Sequence, residues 1–330
     1  MSNAHLLPSR RQVLGMLAAA GATAAIGESQ AQVAWPTRPV RFIVPFAPGA
    51  SNDTFTRALA DILQAKLGQP FVVENRAGAG GWTGTSAAQQ ATPDGYTLLE
   101  NSSGIASMGL AMKLPFDAQR DMIPIAMMAR SPDAVLVPSS LPVKSVKDLV
   151  DYAKAHPTTT FYGTAGVGGT NHLHAELFNM RAGVKMQHVP YRGLAQALTD
   201  LAAGRVQVCF GTIASAAGLI KSGEVRLIAY GAEGRPADAP EAPTVVQGGV
   251  PNYEAKVWWG IFGPPGLPTP LRDRINQAIN AALAEDSFTK LFATSGATAA
   301  PMSAGAFAKE VRQEIDDVKE IVEAAKIVFE

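Results

Sequence analysis

VRFIVPFAPGASNDTFTRALADIL, Val40 to Leu63, is the stretch whose reading decides the fold. Phe42 to Phe46 is a short apolar run of β-favouring residues, as in a strand buried on both faces. Pro48-Gly49 breaks it, and Ser51, Asn52 or Asp53 supplies a helix cap. Phe55, Leu59, Ile62 and Leu63 then recur at helical spacing, and Gly68 stands where a helix closes on a left-handed residue. Strand, tight turn and helix start make a corner whose free backbone N–H groups point at one spot. Such a corner holds an anion without a lysine or arginine, although a plain strand-to-helix connection has the same signature.

Similar corners recur along the chain. Phe71 to Glu74 reads as a strand before a glycine-rich turn, Gly78, Gly80, Gly81 and Gly84, which reads as a tight surface turn. Tyr96 to Leu99 is a strand delivering Asn101-Ser102-Ser103-Gly104, and Ala134 to Val137 is another, bounded by Pro132 and Pro138. Ser145 with Asp148 makes a capping box for a helix to Ala155. Phe161-Tyr162 enters GTAGVGGTNHLHAELF, Gly163 to Phe178; Met186 to Val189, the Cys209 segment and Val225 to Tyr230 are further strands. Thr269-Pro270 opens a helix to about Glu285. A last helix from about Ser303 carries Phe307, Val311, Ile315, Val318 and Val322 on one face. This alternation predicts parallel sheets covered by helices, with ligands at the strand carboxyl ends.

At the start, Arg10-Arg11 precedes an Ala- and Gly-rich apolar stretch, Val13 to Ile26, too short and mild to span a bilayer. Ser29-Gln30-Ala31 fits signal-peptidase cleavage after Ala31, so residues 1–31 read as a secretory signal. The arginine pair points to the twin-arginine route, with Sec export as the alternative. The single cysteine, Cys209, excludes a disulfide framework, a lipid-anchor cysteine after the signal and a thiolate metal site, and reads as a buried thiol. With 28 basic and 28 acidic side chains, the chain carries no basic footprint for nucleic acid or membrane. Composition, 17% charged and 47% hydrophobic, is that of a well-packed soluble protein, and the length suggests two domains.

The glycine-rich segments are not nucleotide motifs. Gly163, Gly168 and Thr170 have P-loop spacing, but Gly169 occupies the lysine slot. Neither a Gly-x-Ser-x-Gly elbow nor His-Glu-x-x-His occurs. His172 and His174 lie two apart on a helix and cannot chelate one metal by themselves. His172, near a helix start, is a donor to an anion or a satisfied structural histidine, and His188 is a strand histidine. Arg192 is a carboxylate clamp or a rim arginine, and Trp258-Trp259 are core or interlobe side chains.

Six segments, in order, then resemble the Bug family of extracytoplasmic solute receptors, which serve tripartite tricarboxylate transporters. They are IVPFAPGASND from Ile43, VVENRAGAGGWTG from Val72, PDGYTLL from Pro93, GTAGVGGTNHLHAELF from Gly163, VPYRGLAQALTDLAAGRV from Val189 and GIFGPPGLPTP from Gly260. The resemblance implies an α/β type II periplasmic-binding-protein fold: two lobes, two hinge segments and a cleft that closes on ligand. It implies lobe 1 in residues 36–136 and 257–330, and lobe 2 in residues 137–256. By position, Phe46, Ala50, Ser51 and Asp53 form the first wall, and Gly166, Gly168, Thr170, Asn171 and His172 the anion corner of lobe 2. Ser102 and Ser103 join from the second corner of lobe 1, and Arg192 from the turn after Val189-Pro190. Ala50 stands where the family usually has a second glycine. A positive φ there would cost alanine about 1 kcal/mol; otherwise its methyl only narrows the pocket.

The expectation is a periplasmic receptor, monomeric and without cofactor or metal, that captures a small mono-, di- or tricarboxylate for transporter membrane subunits. The alternatives are a sensing protein that docks on a membrane sensor kinase, and a secreted enzyme on the same fold.

Overall fold

In the computed structural model, described for residues 35–327 apart from 47, 112, 192 and 236–238, strands and helices gather into two sheets with their own helical covers. The expected signal segment lies outside the described residues, as does Arg192. The first strand, β1 (Val40–Val44), buries Phe42, Ile43 and Val44 completely. Helix α1 (Ser51–Leu67) follows and turns Phe55, Leu59 and Leu63 onto the sheet; Gly68 closes it at φ 71°, its N–H donating to Gln64 O. Next come β2 (Phe71–Asn75), a 3-10 turn (Ala79–Gly81), α2 (Trp82–Gln89), β3 (Thr97–Ser102), α3 (Ile105–Ala111) and α4 (Ala118–Asp121). The long strand β4 (Ile123–Pro132) leads directly into β5 (Ala134–Pro138) and thus into the second sheet.

There α5 (Val146–Ala155), β6 (Phe161–Thr164), α6 (Thr170–Ala182), β7 (Gln187–Pro190) and α7 (Leu194–Ala202) follow. They are succeeded by β8 (Val208–Gly211), α8 (Ile213–Lys221) and β9 (Val225–Tyr230). The chain returns through β10 (Lys256–Gly263) to α9 (Thr269–Leu283), α10 (Asp286–Thr294), β11 (Thr298–Ala299) and α11 (Ala304–Ala325). Ser145 Oγ accepts from the Asp148 N–H at the start of α5, the N-cap expected there, and the Asp148 carboxylate reaches back to accept from the Lys144 N–H at 3.0 Å. Cys209 is buried in β8, and Trp258 and Trp259 are both core residues of β10. On α11 the buried face is Phe307, Val311, Ile315, Val318 and Ile321; Val322 is only half-buried.

The first sheet has the order β11-β4-β10-β3-β1-β2 and the second β7-β6-β8-β5-β9. Both are mixed, which corrects the expectation of parallel sheets. β1 pairs parallel with β2 and β3, but β10 runs antiparallel to β3 and β4. Likewise β6 is parallel to β7 and β8, while β5 is antiparallel to β8 and β9. The reason is the double crossing. β4 leaves the first sheet at its carboxyl end, and β10 re-enters at that same end, so the two must run in opposite directions.

The crossings also fix the cleft. Ala134 of β5 is opposite Gly211, the last residue of β8, and Trp259 of β10 is opposite Ser102, the last of β3. The carboxyl ends of β1, β2 and β3 and those of β6, β7 and β8 therefore lie at the edges where the chain passes between sheets, the position for a ligand crevice in this architecture. At the crossing the Asp133 N–H donates to Ala255 O (3.0 Å) and the Gly231 N–H to Asp133 O (2.7 Å). The Asp133 carboxylate meets His174 Nδ1 of α6 at 2.7 Å, both residues being buried. No helix among the described residues is long and apolar enough to cross a membrane.

Candidate functional site

At the end of β1 the chain turns over Gly49, the residue with positive φ (87°), while Ala50 sits at φ −70°, ψ 163°. Ala50 is thus unstrained, and its exposed methyl only narrows the space before α1. No side chain caps α1. Asp53 instead reaches back from the first turn, Oδ2 accepting from the Gly49 N–H at 2.9 Å. It also takes Arg57 Nε (3.0 Å) and Asn75 Nδ2 (2.9 Å), and Asn75 donates again to Phe46 O (3.1 Å). Burial would raise the Asp53 pKa, but these donors outweigh it and hold the carboxylate below its usual range. Asp53 is thus buried behind the turn and braces it, while Ala50 and Ser51 are exposed.

In the glycine-rich segment after β2, Gly78 and Gly80 are exposed at a 3-10 turn, as expected of a surface turn, but Gly84 is buried in α2. A Cβ on Gly84 would lie 2.9 Å from Pro45 Cα and from Arg76 O, so only glycine lets α2 pack this closely under the β1 turn. The third corner brings Ser102, half-buried, and Ser103, buried, to the end of β3. Two residues before Ser102 stands Glu100, which the motifs did not single out. It is 0% exposed, its Oε1 accepts from Asn52 Nδ2 of α1 at 3.0 Å, and its Oε2 has no partner. Burial pushes its pKa up to about 8, against the Asn52 hydrogen bond, so the carboxyl is neutral at pH 7. The signal in the sequence was a lone acid in the otherwise apolar run Thr97-Leu98-Leu99.

Across the cleft, Thr164 at the end of β6 anchors the loop to α6. Its Oγ1 takes the Gly166 N–H (3.2 Å) and meets His188 Nε2 (2.6 Å). The Gly168 N–H donates to His172 Nδ1 at 2.9 Å. His172 stacks on His188 with ring centroids 4.0 Å apart, and desolvation lowers both pKa values to about 4. His172 is therefore neutral and buried, and its acceptor nitrogen fixes the loop, as the structural-histidine reading has it. The Asn171 amide is likewise committed, Nδ2 donating to Phe210 O at 2.7 Å. Gly166, Thr170 and the start of α6 remain accessible, with Val167 exposed beside them. The two walls meet where a Cβ on Gly104 would come within 3.7 Å of Thr170 Oγ1.

The arrangement has one electrostatic theme. Helices α1, α2, α6 and α7 start at strand carboxyl ends with no side-chain cap. Of the helices that follow these strand ends, α8 is capped, by Thr212; away from the cleft Ser145 and Ser303 cap α5 and α11, while α9 and α10 also start without a side-chain cap. A cap consumes the N–H groups that an anion would use, so uncapped starts leave them available. The nearby Arg57 is tied to Asp53. No group of three or more potential metal ligands occurs among the described residues.

The chain matches the family model described as tripartite tricarboxylate transporter family receptor over residues 55–327. It belongs to this receptor family. BugT of Bordetella pertussis is 35% identical over 280 residues, 84% of this chain and 86% of BugT. Among solved structures, an R. palustris protein with adipate is 34% identical at TM-score 0.74, covering 89% of this receptor and 99% of that chain. MatC from Rhodopseudomonas palustris with bound malate is 28% identical at TM-score 0.73, covering 87% of the receptor and 100% of MatC. The receptor is thus a two-lobed solute-binding protein.

Proposed function

We propose that the receptor captures a small carboxylate in the periplasm, by lobe closure, and delivers it to the membrane subunits of a tripartite tricarboxylate transporter. One observation carries this: uncapped helix starts from different lobes, α1 and α6, at the strand ends bordering one cleft. Each offers N–H groups and a partial positive charge to an anion. A ligand with two carboxylates can engage one in each lobe, which makes dicarboxylates the favoured class. Phe46 and Val167 offer apolar surface for its hydrocarbon body. Ser51, Ser102 and Thr170 are the polar side chains assigned to contact it, with Gly166 contributing backbone. Asp53, Gly168, Asn171 and His172 hold the loops in place, and Ser103 lies behind the corner. Both walls come from one chain, so the reading needs no second copy. Neutral donors suit a receptor that must release its cargo, because closure strengthens them by excluding water without locking an ion pair. The neighbours solved with adipate and malate support the same class.

The test is thermal unfolding and calorimetry of the refolded protein against adipate, malate and other small dicarboxylates, with hexanoate and amino acids as controls. A cognate ligand at a hundred times its dissociation constant adds about 2.7 kcal/mol of stability. Binding of amino acids in preference to every carboxylate would overturn the reading.

A further inference from the structure

Behind the Gly104–Thr170 contact lies a second space between the lobes, on the hinge side, with a volume of about 340 Å³. One wall is apolar: Leu173 and Leu177 from α6 face Val318 and Ile321 from α11. The other is polar and acidic. Lys256 at the start of β10 is shared by Glu254 and Glu310, each 3.0 Å away, so the triad keeps a net negative charge. Glu314 and Asp317 of α11 add two carboxylates against Lys309 alone, and His174 is already paired with Asp133. Glu314 has no cationic partner within 4 Å among the described residues. Independently of this acidic lining, Ser103, 3% exposed, lines the same space with its Oγ unpartnered. A buried hydroxyl without a partner is costly to leave so, and marks a position that a ligand donor would satisfy.

We propose that this cavity binds a small aliphatic ammonium ion, its charge on Glu314 and the Ser103 hydroxyl and its chain along the leucine wall. The volume fits a ligand of a few carbons, and an anion would meet mostly carboxylates. The groups facing Glu314 are His174, Lys256, Asp317 and the Trp258 indole N–H; burial is the largest influence and pushes its pKa up to about 7 against His174, Lys256 and Trp258. An ammonium ion supplies the charge compensation that this carboxylate lacks. Because α6 and α11 belong to different lobes, an occupant also biases lobe closure, so it changes affinity at the carboxylate cleft reciprocally.

The experiment is calorimetry of the purified protein with n-butylammonium chloride at constant ionic strength, with 1-butanol as the uncharged control. Saturable one-to-one binding is expected, absent for 1-butanol. Affinity should fall tenfold or more from pH 8 to pH 5.5, since Glu314 becomes protonated while the amine stays charged. Glu314→Gln should abolish both the binding and its pH dependence, and Ser103→Ala should weaken binding at every pH. Equal binding of 1-butanol, binding untouched by Glu314→Gln, or no saturable binding at pH 8 would each overturn the proposal. Thr170 borders both spaces, but the carboxylate reading is tested separately, with carboxylate ligands in the absence of amine.

Discussion

Glu100 gives the sharpest test of how the cleft is built. Its carboxyl is wholly buried and is pushed by desolvation from its usual 4.5 up to a pKa of about 8. The folded protein therefore binds a proton at this site that the unfolded chain releases between about pH 4.5 and 8. A raised folded-state pKa means the contribution is fully present below the unfolded value and lost as pH rises through the folded one. The slope is about 1.4 kcal/mol per pH unit, so roughly 2.5 kcal/mol is lost between pH 5.5 and 7.5. Glu100→Gln removes the ionisation and keeps the acceptor for Asn52 Nδ2. Urea unfolding of both proteins at those two pH values isolates the group, because every other titration cancels in the difference. The variant should gain on the wild type by that amount as pH rises. Parallel stability–pH curves would refute the assignment of a neutral buried acid. A further consequence concerns ligand: above pH 8 a carboxylate should bind the wild type more weakly but not the variant, since only the wild type then adds the Glu100 charge beneath α1.

Other perturbations test the supports of the two walls. Gly84→Ala puts a Cβ 2.9 Å from Pro45 Cα, so the β1 turn must shift; a loss of about 1–3 kcal/mol in stability and weaker carboxylate binding are expected. Unchanged melting and affinity would show that α2 does not clamp the turn. The stacked rings of His172 and His188 should titrate near pH 4 by NMR, below the usual 6.5. Their depressed values give stability that is full above pH 6.5 and lost as pH falls through 4; a ring titrating near 6.5 would rule out the stack. Asp53→Asn replaces one of the two carboxylate oxygens that accept from the Gly49 N–H, Arg57 Nε and Asn75 Nδ2, and should lower stability by about 1–3 kcal/mol along with affinity. Thr170→Ala should weaken carboxylate binding and leave melting alone. Unchanged affinity in both variants would sink the site assignment.

The local signals that proved legible were those written in side chains. Gly68 announced the end of α1, Ser145 with Asp148 the start of α5, and the apolar run around Cys209 a buried strand. Strand β4 was not legible. Ile123 to Pro132 carries two prolines and shows no alternation because nearly all of it is buried. Pro124 pairs with Phe262 beside a register shift in β10, an irregularity that accommodates a residue lacking an N–H. Strand direction was illegible for another reason. Whether β10 runs with or against β3 depends on where the chain crosses between lobes, which no local pattern records.

The cleft shows the same limit in chemical form. The residues that stand out in its motifs are the ones with functional groups: Asp53, Asn171 and His172. Each of these spends its side chain on the scaffold, with Asp53 on the Gly49 N–H, His172 on the Gly168 N–H and Asn171 on Phe210 O of β8. What they leave accessible is backbone at the starts of α1 and α6, flanked by short side chains. A backbone N–H has no letter of its own, so the motif advertises the scaffold and is silent on the binding atoms. The consequence is a division of labour that mutation can read. Substituting a support alters affinity and stability together, because a loop moves, whereas substituting an accessible residue such as Ser51 or Thr170 alters affinity alone. If both kinds of variant lost stability in equal measure, the amides would not be the binding groups, and the side chains would have to be assigned that role.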